Sequence, residues 1–218
     1  MNNSCFVSWS GGKDSCLSLY KAVKHGYSLK KIFTMFSMES GISSAHRLKE
    51  DIIKAQANAI GTEHIIGRAL FNEYEEVFIS NLKAFKEQGI EFGIFGDIDL
   101  DEHRDWVEKV CKKADIKAVF PLWKSDRKEL VKEFIHKGFK ARIILVNKKM
   151  IDTKFLGHDL SYALLKEIEK CGADVCGENG EYHTVVYDGP IFKKPVNIKC
   201  KADIIPVGDQ WAQIEVDI

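Results

Sequence analysis

The first 120 residues carry no proline, and short apolar runs alternate there with stretches of helical periodicity. Residues 4–9 (SCFVSW), 31–37 (KIFTMFS), 63–66, 92–96 (FGIFG), 117–120 and 142–146 (RIILV) are short and apolar enough to be strands buried on both faces. Between them, Cys16, Leu19, Tyr20 and Val23 form one stripe at helical spacing. Leu48, Ile52, Ala55 and Ala59 form a second, and Tyr74, Val77, Phe78, Leu82 and Phe85 a third. Strand–helix alternation with short links implies right-handed crossovers and a doubly wound parallel sheet with helices on both faces. Ligands then bind beyond the carboxyl ends of the strands. After residue 147 the pattern changes: a helix with Leu156, Leu160, Leu164 and Ile168 leads into a glycine-rich turn and a short alternating strand over 182–187. The expected fold is α/β, with one unit over 1–147 and a small α+β lobe over 148–218. No Ser/Gly/Pro linker marks the junction, so the lobe is expected to pack tightly.

At 218 residues, 45% hydrophobic and 29% charged, the chain can bury a core, which excludes disordered and fibrous classes. Lys plus Arg, at 32, balances Asp plus Glu, at 32, so no global positive field gathers a polyanion and general nucleic-acid binding is not expected. No apolar run approaches the ~18 residues needed to span a bilayer, and the polar start MNNSCFVSWSGG lacks the pattern of an export signal. A soluble cytoplasmic protein without membrane partners is expected. Cys5, Cys16, Cys111, Cys171, Cys176 and Cys200 are scattered without a CxxC pair, which suits buried reduced thiols better than zinc ligands.

The chemistry concentrates where the first strand ends, at Ser10-Gly11-Gly12-Lys13-Asp14-Ser15, immediately before a helix. Two glycines let the backbone approach an anion, two serines add hydroxyl donors, Lys13 adds a charge, and the helix N-terminus adds its dipole. These six residues form a phosphate cradle. The spacing is too short for the Walker A pattern, and no GxGxxG is present. A plain glycine turn with Ser and Asp caps would not explain the lysine between them.

Three other stretches stand where a ligand is expected. Met35-Phe36-Ser37-Met38 ends the second strand and would border a nucleotide base, with Ser37 among the binding residues; His46 and Arg47 beyond it read equally well as surface residues. Gly96 and Asp97 end the fourth strand, and a carboxylate there, with Asp14, would hold Mg²⁺. Asp99, Asp101 and Glu102 read better as charges on the first turn of the next helix. Pro121-Leu122-Trp123 reads as a wall or turn. In Cys176-Gly177-Glu178-Asn179-Gly180-Glu181-Tyr182-His183-Thr184, two carboxylates, an amide, an imidazole and a hydroxyl converge between glycines. An exposed hairpin start is the bland alternative. The functional reading is a substrate pocket, with Glu178 or Glu181 recognising an amine or quaternary ammonium and His183 available for proton transfer.

SGGKDS after the first strand resembles the PP-loop of the ATP pyrophosphatases. Together with the strand-end Gly96-Asp97 and following Arg104, Pro121-Leu122-Trp123, and GENGEYHT followed by DGPIF, the chain resembles the diphthine–ammonia ligase branch over roughly residues 4–195. That resemblance implies a HUP-like domain, related to the adenine-nucleotide α-hydrolases, and a C-terminal substrate lobe. It also implies cleavage of ATP to AMP and pyrophosphate with Mg²⁺, and amidation by ammonia of the diphthine carboxylate on elongation factor 2. By the same resemblance Ser10, Gly11, Gly12, Lys13, Asp14 and Ser15 bind ATP, and Glu178, Gly180, Glu181 and Thr184 line the substrate side. From their places in the fold, Ser37, Gly96, Asp97 and Arg104 are expected beside ATP, and Lys13, Asp14, Glu181 and His183 to carry the chemistry. A homodimer stays open.

The chain departs from GEGGEYET at Asn179 and His183. An imidazole in place of a carboxylate changes the charge and proton chemistry of the expected pocket. Two alternatives therefore stay in play: adenylation of a different substrate, and an ATP-binding sensor without turnover. A tRNA-thiolating enzyme is disfavoured by the zero net charge.

Overall fold

The computed structural model describes residues 2–218. Five parallel strands, β1 (Ser4–Ser8), β2 (Ser28–Ser37), β3 (Glu63–Ala69), β4 (Phe92–Ile94) and β5 (Lys117–Val119), form one sheet in the order β3-β2-β1-β4-β5. Helices α1 (Lys13–Lys24), α2 (Glu50–Ile60), α3 (Tyr74–Glu87), α4 (Asp101–Lys113) and α5 (Arg127–His136) fall between or after these strands. Strand periodicity sorts them onto two faces. Phe6, Phe33 and Met35 point toward α3 and α4, where Phe78, Leu82, Phe85, Val107 and Val110 complete one core. Cys5, Val7, Trp9 and Ile32 point the other way, onto Leu19 of α1, Ile53 of α2 and Phe134 of α5. This is the doubly wound α/β architecture read from the sequence, and the order reverses at β1, where α1 begins.

β6 (Lys140–Asn147), β7 (Tyr182–Asp188), β8 (Lys199–Val207) and β9 (Trp211–Asp217) form a second, antiparallel sheet in the order β7-β6-β9-β8. β6 therefore does not extend the parallel sheet, and the two sheets divide between β5 and β6 rather than at residue 147. Its continuous apolar run misled because it is buried between the sheets, on the same core as α1 and α5. The helix expected around Leu156 is also corrected. α6 spans Tyr162–Lys170, capped by the Ser161 hydroxyl on the Leu164 N–H, whereas Gly157 turns at φ 77°. Residues 157–160 lie along β6 instead: the Gly157 N–H donates to Ile143 O, the Ile143 N–H to His158 O, and the Leu160 N–H to Ala141 O. Val23 is exposed and leaves its expected stripe, as does the Cys171 thiol from the expected buried set. No helix among the described residues is long and apolar enough to cross a membrane.

The sheets are fastened at the loop after β1. Gln56 of α2, fully buried, accepts from Trp9 Nε1 at 2.8 Å and donates to Gly11 O at 3.0 Å and Val186 O at 2.6 Å. The Val186 N–H donates to Gly11 O at 2.9 Å, which ties β7 to the loop. Gln56→Ala leaves the Trp9 indole N–H without its partner and takes one bond each from the Val186 and Gly11 carbonyls, of which Gly11 keeps the Val186 N–H, and a buried group left unpaired costs ~1–3 kcal/mol. The expected loss is about 3 kcal/mol, read from the urea midpoint at unchanged slope. A loss below about 1 kcal/mol would show that this network does not hold the sheets together.

Candidate active site

The cavity lies toward the carboxyl ends of the parallel strands. Ser8 ends β1 and Trp9, Ser10 and Lys13–Ser15 follow it, Phe33 to Met35 lie in the second half of β2, Gly96 and Asp97 follow β4, and residues between 177 and 184 enter β7; with 43–46, Tyr74, Leu100 and His103 they line about 320 Å³. The loop can open α1 toward this space because Gly11 takes φ 82° and Gly12 passes under the His46 ring. Gly96 gives the third clearance: a Cβ there would stand 3.0 Å from Ser15 N. Its part is space for α1 rather than a contact of its own.

The N–H groups of Asp14 and Ser15 open α1 without a protein acceptor among the described residues, while the Lys13 N–H donates to Thr184 Oγ1 at 3.1 Å. The Ser10 and Ser15 hydroxyls meet at 3.1 Å. Two free N–H groups, two hydroxyls and a buried ammonium at a helix N-terminus make an anion site. Lys13 is 5% exposed, and its Nζ lies 2.7 Å from Asp14 Oδ2 and 5.7 Å from the centre of the Tyr182 ring. Burial is the largest single effect and opposes its charge, but the Asp14 carboxylate, together with Cys176 and Tyr182, more than offsets it and raises the pKa above its ordinary value.

Asp14, Cys176 and Glu178 each bring one ligand atom to a common point, all within 4.8 Å of one another. The two carboxylates suit a hard cation such as Mg²⁺, while the Cys176 thiol does not. Burial pushes that thiol up to about 12, so it stays protonated. Asp97, the expected second metal carboxylate, lines the cavity outside this group and faces His103 Nδ1 at 3.6 Å. Burial raises its pKa, with His103 opposing.

Glu178 is pushed up to about 7, first by burial and then by the Asp14 charge. A carboxyl raised in the fold binds a proton that the unfolded chain has released, so it withdraws stability as pH climbs from 4.5 through 7. Glu178→Gln, with no nucleotide or metal present, is expected to match the parent near pH 5 and to exceed it by up to about 3 kcal/mol at pH 8. Urea midpoints at both values check this, and a pH-independent difference between the two proteins would contradict it.

Several expected residues stand elsewhere. Glu181 is 2% exposed, and its carboxylate accepts from the N–H groups of Asp174 and Asn179 and from Asn179 Nδ2 at 3.0–3.2 Å. It shapes the turn and does not face the cavity, which removes it as a chemical group. Ser37 Oγ accepts from the Glu39 and Ser40 N–H groups beyond β2, outside the cavity lining. Arg104 pairs with Glu108 and stacks 4.8 Å from the centre of the Trp123 ring, also outside it. Asp101 and Glu102 charge the first turn of α4 as expected, whereas Asp99, expected with them, lies before that helix and holds Arg127 through both oxygens at 2.7 Å. Thr184 is in the lining, with its hydroxyl already on the loop.

His46, read equally as a surface residue, is 8% exposed and lines the cavity. Its Nδ1 lies 2.7 Å from Thr184 O, and a carbonyl only accepts, so Nδ1 carries the proton and Nε2 is a bare acceptor. The rings of His46 and His183 are 4.7 Å apart, and Trp211 stacks on His183 at 5.5 Å. Burial pushes His46 down to about 4 and His183 to about 3, with the Lys13 charge adding to both. Both are neutral at ordinary pH, so His183 is no ready proton donor.

The same two regions are those that relatives share. The family model for the diphthamide synthase N-terminal domain matches residues 3–118, and that for its C-terminal domain matches 126–215. The chain belongs to the diphthamide synthase family. Among the curated members similar to it, a mouse protein named diphthine–ammonia ligase is 29% identical over 231 residues, covering 94% of this chain and 86% of its own. The protein of that name from Danio rerio is 27% identical, covering 94% and 90%. The one from Saccharomyces cerevisiae is 26% identical over 84% of this chain and 33% of its own length. A solved structure from Methanocaldococcus jannaschii, described as a predicted subunit of tRNA methyltransferase, is similar at 17% identity and a TM-score of 0.44 over 88% of this chain and 99% of its own. Within this diphthamide synthase family member, the N-terminal match supplies the loop and the C-terminal match supplies Glu178, Tyr182, His183 and Thr184, so the cavity is lined from both.

Proposed function

We propose that this chain is an ATP-dependent amide-forming ligase that adenylylates the carboxylate of diphthine, carried by elongation factor 2, and joins it to ammonia. The observation that carries this reading is the α1 opening: free N–H groups, Ser10, Ser15 and buried Lys13 aimed into a cavity closed by the second sheet. The names of the relatives supply the acceptor and the nitrogen source.

The cradle would take the β- and γ-phosphates. A carboxylate oxygen of the acceptor attacks the α-phosphorus, the bond to the β-phosphate oxygen breaks, and pyrophosphate leaves with its charge met by Lys13 and the loop N–H groups. Asp14 and Glu178 would hold Mg²⁺, which when bound neutralises phosphate charge, and Asp97 faces the same cavity. Ammonia then attacks the acyl carbon; the C–N bond forms, AMP departs with the C–O electron pair, and a proton is released to solvent. Glu178 is also the carboxyl placed to meet a cationic group on the acceptor.

Phosphorus NMR of the protein with Mg²⁺-ATP and ammonium, with and without diphthine-bearing elongation factor 2, tests the reading. AMP and pyrophosphate appearing only with the acceptor support it. ADP and phosphate would overturn it, and tight ATP binding with no turnover would leave a sensor.

A further inference from the structure

We propose that His46 and His183, backed by Trp211, form the subsite that receives ammonia. The subsite rests on the ligase reading above and assigns its nitrogen donor a place.

The cavity has two chemically different sides. One is ionic, with Lys13, Asp14, Asp97 and Glu178. The other is the pair of imidazoles 4.7 Å apart, His183 also stacking on Trp211. Among the described residues no protein group reaches His46 Nε2 or either ring nitrogen of His183. Nor are these atoms sealed off, since among the described residues the buried side-chain polar atom without a partner is His64 Nε2, elsewhere. His46 is thus a side chain more than nine-tenths buried, its ring fixed by Thr184 O, with its acceptor nitrogen left for whatever enters.

Chemistry selects the ligand. The group that attacks an acyl adenylate must keep its lone pair, so it must be ammonia and not ammonium. A carboxylate attracts the charged form, which has no lone pair to give. A neutral imidazole accepts an N–H hydrogen bond without rewarding the charge, and the nearby Lys13 ammonium disfavours a second cation. His46 Nε2 would accept one N–H, and His183, free to take either tautomer, would hold the other side. Neither ring needs to take a proton: the N–H lost when the C–N bond forms goes to solvent as AMP leaves. The imidazole at 183 is also where this chain departs from the acidic residue of GEGGEYET.

The first half-reaction needs no ammonia, so it separates the subsite from the ligase reading. Exchange of labelled pyrophosphate into ATP, driven by the acceptor alone, reports adenylation. His183→Ala and, as a milder change, His183→Asn are expected to raise the KM for ammonia about 10-fold or more, several-fold beyond any loss in this exchange or in ATP affinity. His183→Ala also opens space, so the ratio of methylamide to amide formed from mixed methylamine and ammonia is expected to rise. A merely structural role would lower exchange and amidation together and leave that ratio unchanged. An unmoved ammonia KM in both variants, or an equal loss in exchange, overturns the subsite alone. No acceptor-driven exchange in the parent protein overturns the ligase reading and the subsite with it.

Discussion

Lys13→Ala is expected to lower acceptor-dependent pyrophosphate release about 10³-fold, the upper end of what one lost charge donor costs in a preorganised site. Lys13 is 5% exposed, so bulk water screens its ammonium little from a bound phosphate. ATP affinity should fall less than the rate, because negative charge grows on pyrophosphate as the bond breaks and Lys13 meets that growth. Two controls sharpen the result. The variant should keep its urea midpoint within about 2 kcal/mol of the parent, since Asp14 stays partly solvated once its partner is gone. Ser15→Ala should cost less than Lys13→Ala, because Ser10 and the α1 N–H groups remain. Unchanged pyrophosphate release in Lys13→Ala would remove the loop from the chemistry.

The second large effect comes from a single methyl group. Gly12 has φ −98° and ψ −178°, a backbone any residue adopts, yet a Cβ there would stand 2.0 Å from His46 Cε1. Gly12→Ala therefore must displace the imidazole, at an overpacking cost of about 2 kcal/mol. With it goes the bond from His46 Nδ1 to Thr184 O, and misplacing a site group by about 1 Å can cost ~10²-fold in rate. Removing the ring removes the clash, so adding His46→Ala to Gly12→Ala should restore stability relative to the sum of the single changes. A double-mutant cycle on urea midpoints measures this. Strict additivity would show that loop and ring do not touch.

The parts of this structure that were legible in the sequence are those with a local cause. Cys5 and Val7 face one core and Phe6 the other because a strand alternates, and the loop announces itself by glycines, serines and a lysine before a helix. What escaped has a distant cause. His46 meets Thr184 across 138 residues, and nothing near His46 marks it for the cavity. Glu181 carries the right charge in the right segment, but turn geometry spends its oxygens on Asp174 and Asn179. Leu156 and Leu160 repeat at a helical interval, yet Gly157 breaks the turn and the backbone pairs with β6. β8 is exposed along most of its length and carries Pro206, so its alternation is faint. Ser37 and Arg104 lay near the expected strand ends but are claimed by a local turn and by Trp123.

The most direct test of the ligase reading follows the nitrogen. Diphthine-bearing elongation factor 2 is incubated with the protein, Mg²⁺-ATP and isotopically labelled ammonium, and the modified peptide is read by mass spectrometry beside the AMP formed. The expected result is one label per acceptor, now a carboxamide, in step with AMP and absent with Lys13→Ala. Pyrophosphate released without label in the acceptor would contradict the account and point to a different carboxylate as the true substrate.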